Sequence, residues 1–305
     1  MHLLPRYSKT PLSISGQIRQ LSERGLRIDD PEQAYWWLEN VSYYRLAGYW
    51  WPMQSDKANH IFKENSSFNS VIQLYLFDRD LRSLLFKSIE IIEVSFRTRL
   101  VYEFSLRFHQ NWYEDPSLFI HADRHEETMR LIMKELRRKN PEEFIREHLK
   151  KYSFDPLPPS WKTLEILSLG NISTLYSNFK DVQAKNKIAF LFNLPDHTDL
   201  VNWIHVITNV RNLCAHHSRV WNSKMPVKVK LPSGLNGWIN KTPNEIDLAK
   251  AYLPVCAVNY LLKQISSSYN IAAELKALFS AYPEVDPSAM GFITFWETEE
   301  LWTDR

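Results

Sequence analysis

The sequence predicts an all-α protein, a multi-helix bundle with minimal β structure, and three observations carry that prediction. Apolar residues recur at three- and four-residue spacings over long stretches, the period of a helix face buried against a core. Helix start and stop signals bracket those stretches. Glycine is scarce, at seven residues in 305, which disfavours both the tight turns of an all-β fold and the glycine loops that cradle phosphates.

Taken in order, Ser13 to Arg24 reads as a short helix ended by Gly25. Asp30-Pro31 pairs an N-cap residue with proline at the first helical position. The helix it opens carries Tyr35, Trp36 and Leu38. Val41 to Pro52 is very aromatic and reads as core packing, and Asp56 to Ser67 reads as a polar loop. From Val71 to Phe104, the residues Leu74, Phe77, Leu81, Leu84, Leu85, Ile89, Ile92 and Phe96 keep helical spacing with no Gly or Pro between them. This is the longest helical pattern, a central packing element. Asp115-Pro116 opens a shorter segment, Asp123 to Lys139 a helix, and Asn140-Pro141 another. Pro156 to Pro159 marks a linker, helix resumes at Trp161, and Gly170-Asn171 is a break. Asp196 to about Val220 is amphipathic through Leu200, Trp203, Ile204, Ile207, Val210 and Leu213. Val227 to Leu231 alternates and predicts a short strand. Thr242 to Glu245 forms a capping box ahead of a helix running to about Ser266. A last helix spans Ile271 to Ala281, and the apolar tail from Met290 is expected to dock back.

The domain organisation expected from this reading is an N-terminal helical and aromatic region, residues 1–66, packed on a larger helical domain, residues 67–305, with an inserted helical segment at about 115–158. The formal net charge of +2 does not by itself announce a nucleic-acid binder. Two cysteines, Cys214 and Cys256, are too few for a disulfide scaffold or a four-cysteine zinc site. No apolar run approaches the ~18 residues of a membrane span and the first residues lack a signal-peptide pattern, so a cytoplasmic location without membrane contact is expected. No cofactor and no metal are expected.

The strongest candidate for chemistry is Arg211, Asn212, His216 and His217. Histidine titrates near neutrality and suits general acid–base work, and arginine can grip a phosphate bidentately and stabilise charge developing on it. Such groups suffice for RNA cleavage, in which the 2′-hydroxyl attacks the adjacent phosphate. Helix geometry constrains the picture. At ~100° per residue, Arg211 and His216 point about 140° apart, whereas Asn212 and His216 share a face. For Arg211 and His216 to meet one phosphate, the helix must break or a second subunit must contribute, as a two-fold dimer would allow. Glu90, Glu93 and Arg97 form a second focus on the long helix, with Glu93 and Arg97 in the favourable i,i+4 order. They read as an ion pair or as a polar stripe that positions the arginine of the histidine segment. Arg97, Arg99, Arg137, Arg138, Lys139, Lys150 and Lys151 are candidate nucleic-acid backbone contacts or solvated faces.

Several of these blocks are similar to the Abi-like bacterial abortive-infection proteins, the AbiD/AbiF group. Val41 to Pro52 resembles the N-terminal signature of that group. Tyr75 to Arg82 and Ile89 to Arg99 resemble its central helix, Val210 to Trp221 its C-terminal motif, and Met290 to Phe292 its terminal signature. The group is in turn similar to the HEPN superfamily, whose members carry Arg-x4-6-His at a helix. The resemblance implies a HEPN-type bundle with additional N-terminal and peripheral helices. It implies a metal-independent endoribonuclease with Arg211 and either His216 or His217 as catalytic pair, Asn212 beside them, and Glu93 as the acidic residue of a facing helix. Arg99 and Arg219 would touch RNA. A composite site in a homodimer, a role in phage defence, and an antitoxin protein or a small structured RNA as neutralising partner are also implied. The alternatives are a non-catalytic RNA-binding module and a helical adaptor of a defence or toxin–antitoxin system.

Overall fold

The computed structural model describes residues 10–232, 234–239, 246–266 and 269–303. Helix dominates, as predicted: twelve α-helices, several short 3-10 helices and one two-stranded hairpin account for the regular structure among the described residues. The chain divides into two compact units. One holds the described residues up to Asp80 together with Ser280–Asp286, and the other holds Leu81–Phe279 together with the residues from Pro287 onward.

In the first unit, α1 (Ile14–Glu23) starts where Ser13 Oγ accepts from Gly16 N–H at 3.2 Å. α2 (Pro31–Asn40) starts where Asp30 accepts from the N–H groups of Glu32 and Gln33. α3 (Tyr43–Trp50) buries Leu46, Tyr49 and Trp50. Tyr49 donates its hydroxyl to Asp78, buried at 2.6 Å. The stretch expected as a polar loop after Asp56 is mostly turn and irregular, but two of its residues pair as a strand. β1 (Gln54–Asp56) pairs antiparallel with β2 (Ile61–Phe62). Asp56 accepts from the N–H groups of Ala58 and Asn59 and so sets the turn locally, which a hydropathy reading does not detect.

The 40-residue α4 (Phe68–Arg107) would span about 60 Å at ~1.5 Å per residue. Its buried positions in the second unit include Leu81, Leu85, Ile89, Ile92, Phe96, Leu100 and Phe104. Around this segment lie α5 (Ala122–Leu136), α6 (Glu143–Lys151), the short α7 (Ser160–Thr163), α8 (Leu169–Asn178), α9 (Val182–Leu191), α10 (His197–Ala215), α11 (Tyr252–Lys263) and most of α12 (Ile271–Ala281). One core cluster is built from rings: Phe104 lies 4.1 Å from Phe179 and 5.0 Å from Trp112, centroid to centroid. The tail docks back as expected. Phe292, Trp296 and Trp302 are buried, and Asn259 on α11 donates to the Leu301 carbonyl at 2.9 Å.

Three local expectations need correction. Residues 227–231 form no strand; the Lys228 and Lys230 backbone groups bond to side chains of α10 instead. α6 begins after Glu142 rather than at Asn140, with no side-chain cap. α8 starts at a Ser168 cap, so Gly170 lies inside its first turn rather than at a break. The Thr242 to Glu245 capping box lies outside the described residues, and the helix nearest to it, α11, begins at Tyr252. Among the described residues no helix is long and apolar enough to cross a membrane.

Candidate functional site

α10 holds the candidate residues, and its sequence explains its placement. Leu200, Trp203, Ile204, Ile207, Val210 and Cys214 form its buried side, packed against α8, α9 and α11. Asp196 caps the start, accepting from Thr198 and Asp199 N–H. These bonds hold its carboxyl below the usual carboxylate range, first through the Thr198 hydroxyl. Asp196→Ala is expected to cost about 1–2 kcal/mol at pH 7, the ordinary worth of an N-cap. Because the folded-state pKa is depressed, that contribution is present above the unfolded value near 3.8 and is lost as pH falls through the folded one. Urea titrations of wild type and variant should therefore converge as the pH is lowered past the unfolded value and through the depressed folded one.

The far end of α10 breaks at the histidines. Helical geometry stops at Ala215, and His216 is the C-cap residue, with φ −88 and ψ 8. His217 enters the left-handed region at φ 55. His217 N–H donates to the Cys214 carbonyl at 3.0 Å and Ser218 N–H to the Leu213 carbonyl at 2.8 Å, the paired bonds of a Schellman ending. Glycine usually fills this left-handed position; a histidine there is strained, and strain of this kind gathers at functional sites. Val220 and Trp221, both buried, anchor the chain as it leaves. The break falls after His216, whose N–H still bonds helically to the Asn212 carbonyl, so the offset of about 140° between Arg211 and His216 remains and only His217 leaves the helical phase.

Arg211 is half-buried, with its guanidinium over the Phe86 ring of α4 at 5.6 Å. It makes no ion pair and no side-chain hydrogen bond with another described residue. Asn212 and His216 are both exposed. Their link is the helical bond from His216 N–H to the Asn212 carbonyl at 2.9 Å, and no side-chain bond joins them. His217 is exposed as well, and Arg219 is half-buried.

Glu93 and Arg97 do form a pair, but they serve the bundle. Arg97 is 8% exposed. It donates to Glu93 at 2.9 Å, to the Leu167 carbonyl at 3.2 Å and to Glu165 at 3.4 Å. The structure thus brings Glu93 to Arg97 and not to Arg211. Glu90 is exposed one turn beyond Phe86, without an ion pair. Arg99 donates to the Leu191 and Gln264 carbonyls and stacks over Phe192 at 4.0 Å, so it ties the ends of α9 and α11 to α4. Among the described residues no three His, Cys, Asp or Glu side chains converge as a metal site.

Two features escaped sequence reasoning. His205 and Asn209 continue the outward face of Asn212 and His216, giving a polar stripe at positions 205, 209, 212 and 216. Its i, i+4, i+7, i+11 spacing was available in the sequence. The other is Phe86, the platform for Arg211, an aromatic residue out of phase with the core positions Leu85 and Ile89.

A family model described as Abi-like protein matches residues 36–222, more than half of the chain and the whole segment that holds these residues. No curated protein and no solved structure matches.

Proposed function

The chain belongs to the Abi-like family, and from that membership we propose a phage-defence protein of the AbiD/AbiF group that acts as a HEPN-type endoribonuclease. One observation carries the chemistry. Arg211 presents a cation with no ion-pair partner among the described residues, beside a helix end that breaks at two exposed histidines. An RNA phosphate is the anion such a site lacks. The 2′-hydroxyl loses its proton to an imidazole as its oxygen bonds to phosphorus. The bond from phosphorus to the 5′-oxygen then breaks as that oxygen takes a proton from an imidazolium, the one just formed or that of the second histidine. The products are a 2′,3′-cyclic phosphate and a 5′-hydroxyl. Arg211 stabilises the charge on the phosphorane oxygens. The reaction written this way needs no metal and no protein nucleophile.

The site is proposed to be composite in a homodimer, because a two-fold axis would bring two α10 ends to one phosphate. What supports a second copy is the surface that begins at the site. From Phe86, α4 presents outward residues at every fourth position: Glu90, Val94, Thr98, Tyr102 and Leu106. Val94, Tyr102 and Leu106 are 54%, 63% and 72% exposed, and Trp161, also exposed, lies beside the last two. A stripe with one charge over about 30 Å has the character of an interface. An antitoxin protein or a small structured RNA is proposed as the control.

Cleavage of single-stranded RNA and tRNA in EDTA tests this reading. Wild type should leave cyclic-phosphate ends, and alanine at the acting histidine, 216 or 217, should slow cleavage about 10²- to 10⁴-fold. RNA retention without cleavage, unchanged by either substitution, would establish the second reading, a binding module whose affinity falls steeply with salt.

A further inference from the structure

The first unit contains a cleft of about 750 Å³ that the proposed nuclease site does not use. Its walls come from α1, α3 and the hairpin, and Arg24, Tyr43, Tyr44, Trp51, Gln20 and Gln54 are among the residues lining it. The aromatic run Val41 to Pro52 accounts for its character. Leu46, Tyr49 and Trp50 turn into the core, but Tyr44 is 91% exposed and Trp51 45% exposed. Single exposed rings are ordinary, but two that line one cleft give a surface on which a planar ligand can stack.

The polar groups point to the ligand. None of the described residues lining the cleft is Asp or Glu. Arg24 lies in its wall, held by Tyr43 Oη at 3.1 Å. Lys57 lies outside the lining, next to Asp56, with its ammonium 5.6 Å from the Trp51 ring. Gln17 and Gln54 each keep a buried carboxamide oxygen with no donor among the described residues, and Gln54 as a whole is 5% exposed. A buried acceptor without a donor is costly. A turn of the Gln54 carboxamide about its last bond offers its oxygen to an N–H seated against the wall, whereas Gln17 already donates its Nε2 to the Leu12 carbonyl at 3.2 Å.

Exposed rings, carboxamides and a cation without carboxylates match one chemistry. We propose that this cleft binds an unstacked nucleotide, its base stacked on Tyr44 or Trp51, its edge read by glutamine carboxamides, and its phosphate held by Arg24. A proline-rich peptide would also suit aromatic walls, but it brings no anion for Arg24. The site is independent of Arg211 and stands whether or not the chain cleaves RNA.

The test uses the full chain, a fluorescein-labelled 2′-O-methyl oligonucleotide that cannot be cleaved, and AMP and UMP as free nucleotides. Tyr44→Ala and Trp51→Ala remove exposed rings, and their folding is checked by thermal melts. Loss of a stack should weaken binding about 5- to 150-fold, and the loss should persist in an Arg211→Ala background. Binding of the oligonucleotide alone, lost in a ring variant, assigns the cleft to RNA. Binding of AMP or UMP, lost in the same way, assigns it to free nucleotides. Nucleotide affinity unchanged in both ring variants overturns the proposal, as does ring-dependent binding of a proline-rich peptide with no ring-dependent nucleotide binding.

Discussion

Arg211→Ala will slow RNA cleavage about 10²- to 10³-fold, the range for removing a donor aimed at transition-state charge, and will leave the fold intact. The second half of that expectation follows from its contacts. The side chain is half-buried and rests on Phe86 without an ion pair, so truncation strands no buried partner. Alanine is also the best helix former, and the position lies one turn inside the end of α10. Arg211→Lys keeps the charge but not the planar fork, so it should recover only part of the rate. Single-turnover cleavage in EDTA beside urea melts reads both quantities. Unchanged cleavage in the alanine variant would remove Arg211 from the chemistry. Mixing Arg211→Ala with His216→Ala, if His216 is the acting histidine, addresses the dimer. If the arginine and histidine of one site come from different copies, random reassortment restores about a quarter of wild-type activity. Mixed inactive proteins that stay inactive would place both groups on one copy or reject the pairing.

The fold class was legible because it rests on local signals. The caps at Ser13, Asp30 and Asp196 and the 3.6-residue rhythm of α4 act within a few residues of chain. The hairpin after Trp51 was not, because an Asx turn at Asp56 outweighed the polarity of the segment. The strand expected over 227–231 failed for the opposite reason. Alternation was present, but Asn202 and Trp203 took backbone groups that a partner strand would have needed. At the candidate site, helix arithmetic raised the mismatch between Arg211 and His216 and named a break as one remedy. It did not reveal that a histidine would occupy the left-handed position, since glycine and asparagine are the residues that advertise it. Nor did it find the Phe86 platform, because packing between α4 and α10 is not written in either segment alone.

Glu93 separates a structural role from a chemical one, and Glu93→Ala should lower unfolding free energy by about 3 kcal/mol. Arg97 is the reason. Its side chain is 10% exposed and Glu93 is its shortest ionic contact, at 2.9 Å, whereas Glu165 is half in solvent and 3.4 Å away. Removing Glu93 leaves a buried guanidinium to one carbonyl and one distant carboxylate, the costly way to break an ion pair. The loss belongs at the low end of the usual range because those two contacts survive. Replacing both partners removes the uncompensated charge, so Glu93→Leu with Arg97→Met should regain most of the stability. Measured in urea, a double variant as unstable as Glu93→Ala would refute the ion-pair account. Cleavage by the same double variant decides the rest. A folded double variant that cleaves RNA at the wild-type rate confines Glu93 to holding α4 against the segment around Leu167. A folded double variant that has lost cleavage makes the Glu93–Arg97 pair part of the site after all, acting on Arg211 or the RNA rather than on the bundle.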